Sequence, residues 1–356
     1  MDSPFLRVLE IGDHDHFKHF LPDRTTLLWT GYRPPLRQKP SDYLDCTPQN
    51  FGRMMKLAQR GEFDLIVAHA SQYPPWHLRN WVRSFRRRPH WAAAFSRTFG
   101  VQMLRLTRFT TPMIAIDMHD GFTIHRSNFF LLDRAKLYFK RELPVDAWQA
   151  VYGSAHPGLP TTRIRRNERW RRRIARLAPI SLEIAFIDVG EPDDVFADKQ
   201  FDIFFSGEVE INSTVRRDGI RQLEQLATHG IRVDIPSERL PRDEFYRRMS
   251  RSWLAWSPSG LGWDCYRHYE APQCLTVPVI NYPTIQRHHP MEDGVHAIYY
   301  APEGDGLMRA VKQALTDKER LKKIAVGGRA HVRAHHVGFA FCQHIFDSML
   351  SASEIP

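Results

Sequence analysis

Arg267 and Glu270 stand one helical turn apart, just after the loop Ser257-Pro-Ser-Gly-Leu-Gly262. A diphosphate joined to a nucleoside needs amide N–H groups from a tight loop or a helix N-terminus, plus one or two cations. Ser257, Ser259, Gly260 and Gly262 can form such a loop, and Arg267 can supply the cation. Glu270, on the same helical face, can accept both hydroxyl hydrogens of a ribose. The plain alternative is that Arg267 and Glu270 pair with each other on a surface helix. Gly260-Leu-Gly262 does not open a dinucleotide fingerprint, because Cys265 stands where the third glycine belongs and no acidic residue closes a strand at the expected spacing. Hydride transfer is not expected.

The elements that must hold these residues read as a parallel α/β sheet. Trp253–Trp256 is a buried strand before the loop, a helix begins near Tyr266, and Val277–Asn281 is a second apolar strand. Upstream, Phe201–Phe205 is a strand, Ser206-Gly207 a turn and Thr214–Thr228 a helix. Gly230 ends that helix and Ile231–Ile235 completes a βαβ unit. The first half shows the same alternation. Strands are expected at Phe5–Ile11, Thr25–Trp29, Phe63–Ala68, Pro112–Asp117, Leu137–Phe139 and Leu182–Ile187, with a Thr-capped helix from Thr47 to Gly61. Val189–Asp194 has the composition of a linker. The expected architecture is two Rossmann-like, doubly wound domains facing a cleft: 1–195, 196–340, and a C-terminal helix and tail at 341–356.

The 356 residues suit two domains, and 42% apolar with 25% charged residues is an ordinary globular balance. No window approaches the ~18 consecutive apolar residues of a membrane span, and the N-terminus shows no secretory pattern. Cys46, Cys265, Cys274 and Cys342 form neither a CxxC pair nor a dense framework, which suits reduced thiols in a cytoplasm. The net charge of +10 is largely arginine, gathered in runs at Arg79–Arg88 and Arg163–Arg176 that are interleaved with Trp76, Trp81, Trp91 and Trp170. Each run reads either as a solvated helix face or as a basic amphipathic helix meeting an acidic partner, whether an anionic membrane surface or nucleic acid.

Over roughly residues 200 to 345 the chain resembles the C-terminal donor-binding half of GT-B fold glycosyltransferases, of the group 1 and exostosin-like kinds. The likeness lies in Asp-Ile-Phe-Phe-Ser-Gly at Asp202–Gly207, the Ser/Gly loop with Arg267-x-x-Glu270-Ala271, Val-Pro-Val-Ile at Val277–Ile280, and the closing segment Thr316–Ala330. It implies transfer of a sugar from a nucleotide sugar to an acceptor hydroxyl, in building a bacterial surface glycan or glycolipid. Glu270 would then hold the donor ribose, Arg267 and the loop the diphosphate, and Ser206-Gly207 with Arg216 or Arg217 would approach from the first loop. Many retaining members carry a Glu eight positions before the ribose Glu, and here that position is Gly262. That departure weakens a retaining mechanism and leaves the stereochemical course open.

Inversion needs a general base for the acceptor hydroxyl, expected at the carboxyl end of a first-domain strand. Two loops qualify, Gly12-Asp13-His14-Asp15-His16 and Asp117-Met-His119-Asp120-Gly121. Asp120 is the preferred base, His14 the next, and His119 stands beside Asp120; a simple polar loop is the alternative for both. No metal is expected, since adjacent loop residues rarely converge on one ion and GT-B enzymes as a class need none. No other cofactor is implied. Arg134–Pro144 resembles an F-K-R-E segment of bacterial relatives, so Lys140 or Arg141 would add charge for a phosphate leaving group or else cap an amphipathic strand. A nucleic-acid-binding protein, or a glycosyltransferase acting on modified DNA bases, is the second reading.

Overall fold

The computed structural model describes residues 6–31, 33–71, 78–87, 91–152, 168–209 and 214–353. The chain forms two compact units, one running up to Ile180 and taking in the chain from Cys342 on, the other Ser181–Phe341. The division falls at 180/181, where the sequence suggested 195, and the stretch after Cys342 belongs to the first unit.

Unit one holds seven parallel strands: β1 (Val8–Gly12), β2 (Thr25–Trp29), β3 (Tyr43–Asp45), β4 (Leu65–His69), β5 (Met113–Asp117), β6 (Tyr138–Lys140) and β7 (Leu177–Pro179). Their order, β3-β2-β1-β4-β5-β6-β7, reverses direction between β1 and β4. β1, β4 and β5 are buried at every position, as strands covered on both faces must be. The helix Pro48–Gln59 covers part of one face with Phe51, Met54, Met55 and Ala58, and Thr47 caps it by accepting from the Asn50 amide at 3.2 Å.

Four strands that are neighbours in the sheet break the apolar rule, β1 at its centre and the other three at their last residue. Glu10, His69, Asp117 and Lys140 lie in β1, β4, β5 and β6, each at most 2% exposed. The expected strand at Leu182–Ile187 does not form. Ile184 makes a single bridge to Val337 within unit two, and β7 closes the first sheet instead.

Unit two holds β8 (Phe201–Phe204), β9 (Val233–Asp234), β10 (Ser252–Trp256), β11 (Val277–Asn281) and β12 (Ile298–Tyr300), all parallel, in the order β12-β11-β10-β8-β9. The helix Thr214–Thr228, with the bounds read from sequence, crosses close to β10. A side chain at Gly219 would overlap the Trp256 ring, so glycine sets the approach. That ring is held in turn by its Nε1–H, which donates to the Tyr300 hydroxyl at 2.8 Å. All four cysteines are free thiols, and among the described residues no helix is long and apolar enough to cross a membrane.

Candidate functional site

In unit two the first, second and third strands in the chain are β8, β9 and β10, so the sheet runs 2-1-3-4-5 with its switch point between β8 and β10. Ligands of open α/β sheets bind outside the carboxyl ends of the strands that flank such a point. Ser206-Gly207 leaves β8 there and Ser257–Gly262 leaves β10.

The second loop is pinned from within. The Ser257 amide donates to the Val279 carbonyl (2.9 Å), the Ser259 amide to Asn281 Oδ1 (2.8 Å) and the Gly260 amide to the Gly262 carbonyl (2.8 Å). Trp263 Nε1–H donates to the Asn281 carbonyl at 2.9 Å. Three amides that the sequence offered to a phosphate are thus already bonded, and the positive side of the site falls to side chains.

Those side chains are Arg216 and Arg267, each 7% exposed. Arg216, one turn before Gly219, donates from Nε to the Ser259 carbonyl (3.1 Å) and from Nη1 to the Glu208 carbonyl (2.9 Å), bridging both loops. The Arg267 guanidinium lies over the Phe205 ring, 5.0 Å from its centroid. The two glycines leave room for them: a Cβ on Gly207 would sit 2.7 Å from Arg267 Nη2, and one on Gly260 would sit 2.7 Å from Arg216 Nη2. Burial, and then the charge of Arg267, lowers the pKa of Arg216. Among the described residues neither guanidinium forms an ion pair with a carboxylate. Glu208 acts on Arg216 and Glu270 on Arg267 without such a pair, and two buried like charges so weakly countered favour the arrival of an anion. Arg217, the alternative to Arg216, is exposed.

Glu270 does not pair with Arg267; it accepts from the Tyr246 hydroxyl at 3.0 Å, and Arg242 Nε donates to that hydroxyl at 3.1 Å. Burial raises the Glu270 pKa, with Tyr246, Arg267 and Arg242 opposing it. His268 is wholly buried beside Arg267, and its Nε2–H donates to the Ser257 carbonyl at 3.1 Å, bracing the loop from below. Asn281, Tyr246 and His268 were not singled out from sequence, since each acts through a partner distant in the chain.

In unit one the switch point lies between β1 and β4, and the His14 loop leaves β1 there. His14 Nδ1 lies 3.1 Å from Asp13 Oδ1, and its ring stacks 5.2 Å from those of His16 and His69. Burial lowers the His14 pKa, but the Asp13 bond and the charges of Asp13, Glu10 and Asp15 outweigh it and leave the imidazole more basic than usual. Glu10, beneath it, accepts from His69 Nε2 (2.9 Å) and from the Phe17 (3.2 Å) and Lys18 (2.9 Å) amides, and burial pushes its carboxyl up to about 7.

The β5 loop is arranged differently. His119 Nδ1 lies 3.0 Å from Asp117 Oδ1, while Asp117 also accepts from the Tyr138 hydroxyl (2.8 Å) and Lys140 (3.4 Å). Burial would raise the Asp117 pKa, but Lys140, His119 and Tyr138 hold it well below the usual carboxylate range. Asp120 is bound by the Arg141 guanidinium, so an oxygen of the preferred base carries a cation. Lys140 is fully buried and Arg141 is 4% exposed, and both are engaged within unit one. Among the described residues no group of three or more His, Cys, Asp or Glu is placed to hold a metal ion.

Of the arginine runs, Arg88 and residues 163–167 lie outside the described residues. Within the second run, Arg169 and Arg173 grip Asp133 (2.7 and 2.5 Å) and Arg176 donates to the Leu132 carbonyl (2.9 Å). Much of that run is therefore tied to its own unit.

The buried histidines make stability pH-dependent. Burial depresses His69, His268 and His336 to about 3. Between that value and the ~6.5 of an unfolded imidazole, the unfolded chain holds protons that the native chain lacks, so stability falls with acid. Glu10 at about 7, and Glu270 raised by burial, act in the opposite sense. His331 and His335 are lowered too, while His14, raised, sides with the carboxyls; with five lowered imidazoles against three raised groups, the melting temperature is expected to drop between about pH 7 and about pH 5. A calorimetric scan in which it holds or rises refutes this balance.

No sequence profile of a known family matches the chain, and no curated protein matches it by sequence. Solved structures do match. A glycosyltransferase from Rickettsia africae superposes with a TM-score of 0.56 at 8% identity, over 99% of this chain and 100% of that one. The Anabaena protein HepE in complex with UDP gives 0.52 at 13%, over 97% and 100%. An alpha-glucosyltransferase in complex with UDP and a 13-mer DNA gives 0.50 at 10%, over 97% and 100%. The chain has the fold of GT-B glycosyltransferases.

Proposed function

We propose that this protein is a glycosyltransferase that moves a sugar from a nucleoside diphosphate donor to an acceptor hydroxyl. The observation that carries the reading is the pair Arg216 and Arg267, buried side by side at a switch point without a carboxylate partner. The diphosphate would lie against these guanidiniums and Ser206-Gly207, with Ser257, Ser259 and Gly260 forming the rigid wall, and Glu270 would accept the ribose hydroxyls. The acceptor oxygen attacks the anomeric carbon, the bond from that carbon to the diphosphate breaks, and the arginines neutralise the leaving diphosphate. The acceptor proton passes to a base in unit one.

For that base the geometry favours His14, oriented by Asp13, over Asp120, whose carboxylate is held by Arg141; His119 is oriented in the same way by Asp117. No resident metal is invoked. The acceptor is a glycan or glycolipid of a bacterial surface, met at the cytoplasmic face of a membrane. An acceptor on DNA, the second reading, takes support from the neighbour solved with DNA and from the arginine runs.

Titration calorimetry with a panel of nucleoside diphosphates tests the proposal. One base should bind best, and a nucleotide at 100 times its Kd should stabilise the fold by ~2.7 kcal/mol. Glu270→Ala should weaken that nucleotide by about tenfold to a hundredfold in a protein that still folds, the loss expected for hydrogen bonds to a charged group. Unchanged affinity removes the ribose assignment, and binding of no nucleotide removes the transferase reading.

A further inference from the structure

The helix Leu78–Arg87 packs on the helix Trp91–Phe99 through Trp81, whose ring lies 5.4 Å from that of Phe99. Its remaining apolar residues face solvent: Leu78 is 76% exposed, Val82 45% and Phe85 51%. Spacings of four and three place these residues on one face, so they form a continuous stripe. An amphipathic helix of a soluble domain turns such a stripe inward; here only Trp81 does so. Arg79 and Arg86, seven residues apart and both exposed, run along the edge of the stripe. The helix has four arginines and no acidic residue, and neither Arg79 nor Arg86 forms an ion pair with another described residue.

An apolar stripe bordered by cations matches a lipid interface, with acyl chains for the one and headgroup phosphates for the other. A nucleic-acid backbone would use the arginines but leave the stripe in water, and a second copy of this helix would bring like charges together. We propose that the helix Leu78–Arg87 docks the protein on an anionic membrane, with Leu78, Val82 and Phe85 entering the boundary between headgroups and acyl chains and Arg79 and Arg86 meeting lipid phosphates. This gives the membrane encounter suggested above a defined surface and makes insertion, as well as charge, part of it. It does not depend on the transferase reading, because nucleotide binding is measured separately and either can fail alone.

The test is sedimentation of the full-length protein with vesicles of equimolar phosphatidylglycerol and phosphatidylcholine. Leu78→Gln/Val82→Gln/Phe85→Gln should lower the partition coefficient about tenfold or more, at low salt and also at roughly 0.5 M salt, where screening has removed most of the charge attraction. Arg79→Ser/Arg86→Ser should lose about fivefold per arginine at low salt and little at high salt. The three apolar positions are exposed, so the melting temperature should be unchanged; should it fall, Phe85→Gln alone serves the same comparison. The proposal is overturned if the apolar variant binds vesicles like wild type, or if wild-type binding vanishes entirely in high salt. It is equally overturned if wild type ignores vesicles and binds duplex DNA.

Discussion

Arg267→Met is expected to weaken nucleoside diphosphate binding by about a hundredfold while leaving the melting temperature unchanged or higher. Most substitutions of a buried charge destabilise, because they orphan a partner. Here the guanidinium has an aromatic ring beneath it and a single bond at 3.5 Å to the Trp256 carbonyl, and it forms no ion pair among the described residues, with Arg216 and Glu270 acting on it with opposite signs. Methionine keeps the stem, fills the space over Phe205 and relieves the repulsion on Arg216. What it removes is a charge-assisted contact to phosphate, worth ~2 to 3 kcal/mol. Calorimetry with the preferred nucleotide and a thermal scan on the same preparation decide the matter. Lower stability with intact affinity would mean that Arg267 is a structural residue and that the diphosphate lies elsewhere.

The second large effect is expected at His14. Its replacement by Ala should lower turnover by ~10²- to 10⁴-fold with nucleotide affinity preserved, as loss of a positioned base does. The pH profile separates this from a structural role. Asp13 contributes to holding the His14 pKa above its ordinary value, so activity should fall with acid along a limb lying above about pH 6.5. Asp13→Asn should move that limb to lower pH. Asp120→Asn should cost less than His14→Ala, because Arg141 already occupies the carboxylate. The reverse order, with near-normal turnover in His14→Ala and collapse in Asp120→Asn, would assign the base to Asp120.

The sequence revealed most where apolar runs are bracketed by turn signals. Thr214–Thr228 kept its bounds because its apolar spacing and the glycine after it both point to the same end. The three-residue strands β3, β7 and β12 escaped notice, whereas the equally short β6 was found at Leu137–Phe139 and the shorter β9 inside the longer run Ile231–Ile235. Leu182–Ile187 misled for a different reason. Leu182, Ile184 and Ile187 are buried while Ala185 and Phe186 are exposed, and burial does not say what the backbone pairs with; the Ile187 amide donates to Gln273 Oε1 at 2.9 Å instead of to a neighbouring strand. The site shows the same limit. The arginine and glycine types were visible, whereas the bond from the Ser259 amide to Asn281, 22 residues on, and the grip of Arg141 on Asp120, 21 residues on, arise only once strands lie side by side. Local context therefore favoured an amide cradle and an Asp120 base.

Glu10, His69, Asp117 and Lys140 also bear on how the first sheet finds its order. Aliphatic strands such as β1, β4 and β5 are nearly interchangeable as partners, and packing alone discriminates weakly among their permutations. Two polar pairs cross these strands on opposite faces of the sheet, Glu10 bonded to His69 on one and Asp117 set directly opposite Lys140 on the other. A one-residue slip of β6 would turn Lys140 to the other face and leave Asp117 buried without its ammonium, a loss of ~3 to 5 kcal/mol. The two pairs thus work as an error check during assembly, rejecting misregistered sheets that hydrophobic burial by itself would tolerate.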